Sequence, residues 1–346
     1  MTRGEVDRGG GAGPAGAGAP CSGTGSAGRA PPLPEGQTGP DSASREAPGA
    51  APSRHDAAGG AAPAAPLTGP ERDPDPSGAG DAGPGANGRR PNGTDRCVEE
   101  WAVFLLAVQF LTRLPVRDPG YTPTRMAATP RWHPGVGVLL GLATGAVLLG
   151  AAQVWSPALA ALAAVAAGIG LTGAFHEDGF ADACDGLGGG TTRDRALEIM
   201  RDSRLGTYGA AGLGLLLAGK VLALASLPPP VAAAALLAGH ATGRASSVLV
   251  MAQAPYVRDH GTGKPVAEGI GRGGLAFALA TGAAALVPLA WLSPAGALAG
   301  VAGLALGHVA MRARFERRLG GYTGDCLGAV QQASALGLYL GVAAWP

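Results

Sequence analysis

From residue 135 onward the chain alternates between long runs without charge and loops crowded with it. This alternation limits the possible fold more than any other feature. Residues 135–154, 157–175, 209–227, 231–253, 275–292, 295–310 and 329–345 are apolar, with Lys220 and Arg244 the only formal charges in the third and fourth runs. A bilayer core takes about 20 helical residues to cross, and most of these runs meet that length. Ala and Gly are abundant in them, which suits close helix packing in lipid. The sequence therefore predicts an all-α, polytopic membrane bundle of about seven transmembrane helices. The apolar stretch 98–111 predicts a further short N-terminal helix, interfacial or re-entrant.

The connections fall into two sets. Residues 155–156, 228–230 and 293–294 are tight and uncharged, whereas 112–134, 176–208, 254–274 and 311–328 are long and rich in Arg. Seven successive spans place every long loop on one face. The positive-inside rule puts that face in the cytoplasm of a cell-membrane protein. Net charge over residues 97–346 is only +3 and lies in these loops, which excludes a nucleic-acid-binding surface.

Residues 1–96 differ in kind. They are mostly Gly, Ala, Pro and Ser with scattered charge, and contain no Trp, Phe or Tyr. Such a segment cannot bury enough apolar surface to offset its ordering entropy, so it reads as disordered. It has no apolar run and is not a signal peptide. It is either a linker or an early gene start. The membrane domain is then 97–346. Cys21, Cys97, Cys184 and Cys326 form no C-x-x-C pair, which argues against a zinc or disulfide framework.

The chemistry concentrates in residues 173–210, GAFHEDGFADACDGLGGGTTRDRALEIMRDSRLGTYGA. Asp178, Asp182 and Asp185 stand at i, i+4 and i+7, one face of a helix. Like charges at that spacing repel and call for a hard divalent cation, and Mg²⁺ is typically held by one or two carboxylates together with substrate phosphates. Glu198 and Asp202, also at i, i+4, would supplement the metal site. Gly179 and Gly186 leave room for a phosphate, and residues 188–190 read as a flexible turn. Arg193, Arg195, Arg201 and Arg204 suit phosphate oxygens, which guanidinium binds in a fork. A loop whose acids and arginines only pair with each other is the plainer alternative.

His176 is a base, a substrate contact or a structural histidine. Lys220 and Arg244 either snorkel to lipid phosphate or serve function. His133 and His308 read as structural, and Cys184 as a packing residue. A second motif, Gly320-Gly321-Tyr322-Thr323-Gly324-Asp325-Cys326-Leu327-Gly328, lies on the same charged face.

Together with Phe110-Leu111-Thr112-Arg113-Leu114-Pro115-Val116, these motifs resemble the cobalamin synthase (adenosylcobinamide-GDP ribazoletransferase) family over residues 97–346. The resemblance implies a Mg²⁺-dependent enzyme. The hydroxyl of α-ribazole, or of its 5'-phosphate, attacks the corrinoid-side phosphorus of adenosylcobinamide-GDP and GMP leaves. It implies metal at Asp178, Asp182 and Asp185, phosphate contacts from Arg193, Arg195, Arg201 and Arg204, and flanking roles for Arg113 and Asp325. A homo-oligomer is compatible with it. The chain departs from the family where relatives carry acids after the last motif; here Gln331-Gln332-Ala333-Ser334 stands. Glu177 occupies a usually apolar position. A CDP-alcohol phosphotransferase is the nearest alternative, weakened because Asp182 follows Asp178-Gly179-Phe180-Ala181 where that class has Arg. A transporter would place its acids within spans and in repeated halves, a pattern not seen here.

Overall fold

The computed structural model describes residues 93–258 and 270–345. Lys264 and the N-terminal segment up to residue 92 fall outside them, and so does the disorder expected of that segment. Among the described residues the chain is helical, with no strand and a single isolated bridge between Tyr256 and Tyr322. The helices are α1 (Gly93–Leu111), α2 (Pro123–Ala128), a 3₁₀ turn (Thr129–Trp132), α3 (His133–Ala151), α4 (Pro157–Thr172), α5 (Phe175–Gly189) and α6 (Arg193–Ile199). They continue with α7 (Thr207–Ala225), α8 (Pro229–Gln253), α9 (Arg272–Ala284), α10 (Val287–Leu292), α11 (Pro294–Leu319) and α12 (Gly324–Ala344).

Five stretches are long and apolar enough to cross a membrane, or six if α4 and α5 form one broken span. The count of seven read from the sequence is therefore not reproduced. Two local features explain the difference. α4 has 16 residues and the chain then turns 92° into α5. α8 is 25 residues long, but its C-terminal half carries Thr242, Arg244, Ser246 and Ser247, all buried. It is a central helix with its polar groups turned into protein. The ends also shift. α12 begins at Gly324 and reaches 21 residues, so the last span is not short. α11 runs through Arg312, Arg314, Arg317 and Arg318 to Leu319, where a loop was expected. α1 is a full 19-residue helix tied at its charged start by Glu99–Arg125 and Glu100–Arg131 ion pairs.

Small residues set the helix contacts. A Cβ on Gly303 would sit 2.1 Å from the Gly337 carbonyl oxygen, and the reverse substitution would meet the Gly303 oxygen at the same distance. Gly307 and Gly341 extend this seam between α11 and α12. Gly137 and Gly141 form a similar seam, one turn apart, against the α8 backbone at His240 and Leu237. In lipid, where apolar side chains gain little by leaving their surroundings, such backbone approach supplies the packing energy.

Candidate active site

The α4–α5 corner begins the site. Gly173 and Ala174 both take left-handed conformations, φ 64° and 60°, and stop α4 abruptly. The Arg113 side chain lies over Gly173 so closely that a Cβ there would be 2.3 Å from its Nε. The Arg113 amide also donates to the Leu171 carbonyl at 2.7 Å. The stretches 110–116 and 173–210 thus meet at this corner.

From the corner α5 crosses the N-terminal end of α12. A Cβ on Gly179 would lie 3.1 Å from the Asp325 backbone, and one on Gly328 3.0 Å from the His176 carbonyl. These glycines let two helix backbones touch, which brings Asp178 and Asp182 beside Asp325. Gly186 is filled by Met200 and the Ala196 carbonyl, and Gly190 packs on Ala196. Gly179 and Gly186 therefore serve helix packing, and the space expected for a phosphate is occupied by protein. Gly188 and Gly189 belong to the last turn of α5, so the flexible turn expected there is absent.

The third motif is a compact connector. Gly320, at φ 74°, ends α11. The Tyr322 amide donates to the Pro255 carbonyl and its own carbonyl accepts from Val257, both at 3.0 Å. The Thr323 hydroxyl caps α12 by accepting from the Cys326 amide. Asp325 is thereby fixed in the first turn of α12, where the helix dipole favours negative charge. Arg258 donates to it at 2.6 Å from the paired loop. Tyr256 and Tyr322 stack edge to face, centroids 5.4 Å apart. Burial pushes the Tyr322 phenol up to about 12 and raises Tyr256 as well, so both stay neutral.

These three motifs enclose a cavity of about 180 Å³ lined by Phe110, His176, Asp178, Arg244, Arg258 and Asp325, among others. Asp182 lies close enough to feel the charges of Asp325 and Asp178. Arg258 is absent from the expected set. Its signal is faint, one of several basic residues in a long loop, and only the Tyr256–Tyr322 pairing brings it to Asp325.

The other expected residues are placed differently. Both Asp185 oxygens accept backbone amides, Gly206 at 2.7 Å and Gly209 at 2.8 Å. Asp185 is buried and closes the start of α7, so it does not face the cavity with Asp178. Helix α6 ends at Ile199, so Glu198 and Asp202 share no helical face. Glu198 pairs with Arg195, and Asp202 with Arg204 at 2.6 Å. The Arg204 hydrogen bonds hold the Asp202 carboxyl below the usual carboxylate range. Arg201 is exposed. Arg193 donates to the Leu319 carbonyl and faces a separate basic groove with Arg314, Arg317 and Arg318. None of the four arginines of residues 193–204 lines the 180 Å³ cavity.

Neither basic residue within the apolar runs snorkels. Lys220 is buried against Gln332 and lies 3.8 Å from Glu177, to which Gln332 also donates at 2.8 Å. Arg244 is 2 % exposed. Glu177 and Gln332, drawn from the two places where the chain departs from the family pattern, therefore touch: the buried ammonium takes its counter-charge from α5 and a neutral amide from α12. Cys184 packs against Gly212, as a small core residue.

Among the described residues no three His, Cys, Asp or Glu side chains are arranged to hold a metal ion by themselves. At the site, the hard carboxylates left outside ion pairs are Asp178, which lines the cavity, and Asp182, which lies near it. That set fits a cation completed by water and substrate phosphate rather than a closed protein cage.

The fold and site define a polytopic helical membrane protein with an acid-rimmed cavity built from three polar motifs. The family model for cobalamin-5-phosphate synthase matches residues 103–343, and the chain belongs to that family. It is 46% identical over 254 residues to adenosylcobinamide-GDP ribazoletransferase of Leptothrix cholodnii, covering 70% of this chain and 96% of that one. Identity to the enzyme of the same name is 40% in a Polaromonas species (69% and 95% covered) and 38% in Vibrio cholerae (69% and 92%). No solved structure matches the chain.

Proposed function

We propose that the chain is an adenosylcobinamide-GDP ribazoletransferase that completes the nucleotide loop of a cobamide. The observation that carries this reading is the convergence of the 110–116, 173–209 and 320–328 motifs on one cavity, in a chain similar along most of its length to transferases of that name. The reaction joins the α-ribazole hydroxyl oxygen to the corrinoid-side phosphorus. The bond from that phosphorus to the bridging oxygen breaks, and GMP departs with the electron pair.

In this reading Asp178 and Asp182 would hold Mg²⁺, which supplies charge stabilisation to the diphosphate when bound. Arg258, kept in place by Asp325, faces the same space and offsets charge that builds on the phosphoryl oxygens. His176, buried at the inner wall, receives the proton from the acceptor hydroxyl. Arg113 fixes the corner on which His176 and Asp178 are mounted. Arg193, in its outer groove, is suited to the guanosine-side phosphate. The inner membrane is the proposed location, with the charged loops in the cytoplasm. An assembly of several copies is compatible with this but is not required by it.

Purified protein in detergent, given adenosylcobinamide-GDP, α-ribazole and Mg²⁺, should form a complete cobamide and an equal amount of GMP by chromatography. Chelator should stop the reaction and Mg²⁺ should restore it. Absence of GMP from well-folded protein would overturn the assignment, and full activity in chelator would remove the metal from it.

A further inference from the structure

The cavity is polarised. Its rim carries carboxylates, whereas its inner wall carries Arg244, His133 and His176, which are 2 %, 3 % and 6 % exposed. Arg244 also lines a smaller cavity with Lys220 and Glu177 but forms no ion pair there. One of its Nη atoms donates to the His240 carbonyl one turn back at 3.0 Å, while its Nε has no partner. Among the described residues no carboxylate comes within ion-pairing distance of it. Glu177 acts on Arg244 through space but gives its hydrogen-bonded oxygen to Gln332 and its charge to Lys220. His133, on α3, has an unpartnered Nε2, and the Arg244 charge reaches it. Two deeply buried groups from different helices, each with an unmet hydrogen-bonding atom, thus line one cavity.

Burying an unpaired guanidinium is costly, and the cost is relieved when an anion arrives. Lys220 shows how the same bundle treats a cation it means to neutralise internally.

We infer that Arg244 and His133 form a buried oxyanion subsite at the inner end of the cavity, which takes a phosphate group of a reactant. The subsite deepens the transferase reading and rests on it for the identity of that reactant. Its charge excludes a neutral occupant, and its depth excludes a lipid headgroup arriving from the bilayer side. Two phosphates meet the description: the diphosphate of the GDP-bearing donor and the 5'-phosphate of a phosphorylated acceptor. With the donor's diphosphate held here, the corrinoid-side phosphorus lies between the Arg244 guanidinium and the rim carboxylates.

Two variants separate the subsite from a structural role. Arg244→Met keeps the length and removes the charge, and Arg244→Lys keeps the charge and loses the fork. GMP release is followed with donor, with α-ribazole and with α-ribazole 5'-phosphate, beside the melting temperature of each protein. A lost charged hydrogen bond predicts KM higher by about 10- to 100-fold for the reactant whose phosphate sits in the subsite. The rise falls on the donor in one case and only on the 5'-phosphorylated acceptor in the other. Arg244→Lys should be intermediate, and Arg244→Met should melt no lower than the parent because an unpaired buried charge is gone.

Unchanged KM for all three reactants, or failure of both variants to accumulate folded in the membrane, would overturn the subsite and make Arg244 a bundle-holding residue. A parent protein that releases no GMP sinks the transferase reading alone. The subsite is then judged by inorganic pyrophosphate, which should raise the melting temperature of the parent and of Arg193→Ala but not of Arg244→Met. Equal stabilisation of Arg244→Met, or none of the parent, sinks the subsite as well.

Discussion

The two ends of α5 carry the same residue type at helical spacing and use it in opposite ways. At the N-terminal end Asp178 looks into a cavity shared with Asp325 and Arg258. At the C-terminal end Asp185 is sealed under α7, spending both oxygens on the amides of Gly206 and Gly209. Arg195 and Arg204 beyond it are held by their own neighbours on the surface. A periodic row of acids is thus split by what packs on it, and only the part that meets the α12 connector is left free for chemistry.

The sharpest way to break that contrast is to remove charge at the free end. Asp178→Asn keeps the shape and one carbonyl, and should lower the rate by about 10²-fold or more, in line with the loss of other transition-state charge stabilisers. Asp182→Asn should behave similarly, and membrane insertion of both should be unchanged. A near-parent rate for either, measured as GMP release, would erase the distinction between the two ends.

Asp185→Asn tests the sealed end. It leaves one of two buried amides without its acceptor, a cost of about 1–3 kcal/mol. The melting temperature should fall, while the rate per folded molecule stays much nearer the parent than that of Asp178→Asn. The opposite pattern, a stable but inactive protein, would return Asp185 to the metal set. Smaller still, Arg195→Ala and Arg204→Ala should change GMP release by less than about threefold, since exposed ion pairs contribute little. A large loss would show that these side chains leave their carboxylate partners when substrate binds. Finally, cysteines placed at Arg193 and Arg317 should resist a membrane-impermeant thiol reagent in whole cells. Labelling of either from outside would invert the proposed orientation.

Much of this was legible in the chain. Uncharged runs with Gly and Ala at helical spacing give the membrane bundle, and the three motifs name the elements that surround the cavity. The failures have a common physical cause. Reading Asp178, Asp182 and Asp185 as one face assumes a helix meeting solvent, but that face is divided between α12 and α7. Reading Gly179 and Gly186 as phosphate space assumes that the missing side chains leave emptiness, when neighbouring elements fill it. Arg258 and Arg244 acquire meaning only from contacts made far along the chain. The count of seven spans is not reproduced where polarity is buried, because hydropathy cannot tell an arginine inside protein from one at a membrane surface.

The glycine seam between α11 and α12 has a mechanical consequence. Gly303, Gly307, Gly337 and Gly341 bring the two backbones into contact, so the pair can neither slide nor twist apart without collision. The two ends of the connector that hold Asp325 are therefore anchored in one stiff strut, and Arg314 and Arg317 of the basic groove are carried on the same strut. If the cavity widens to admit a corrinoid, the give must come from the opposite wall. There α4 breaks at Gly173–Ala174, and a single arginine side chain lies across the break.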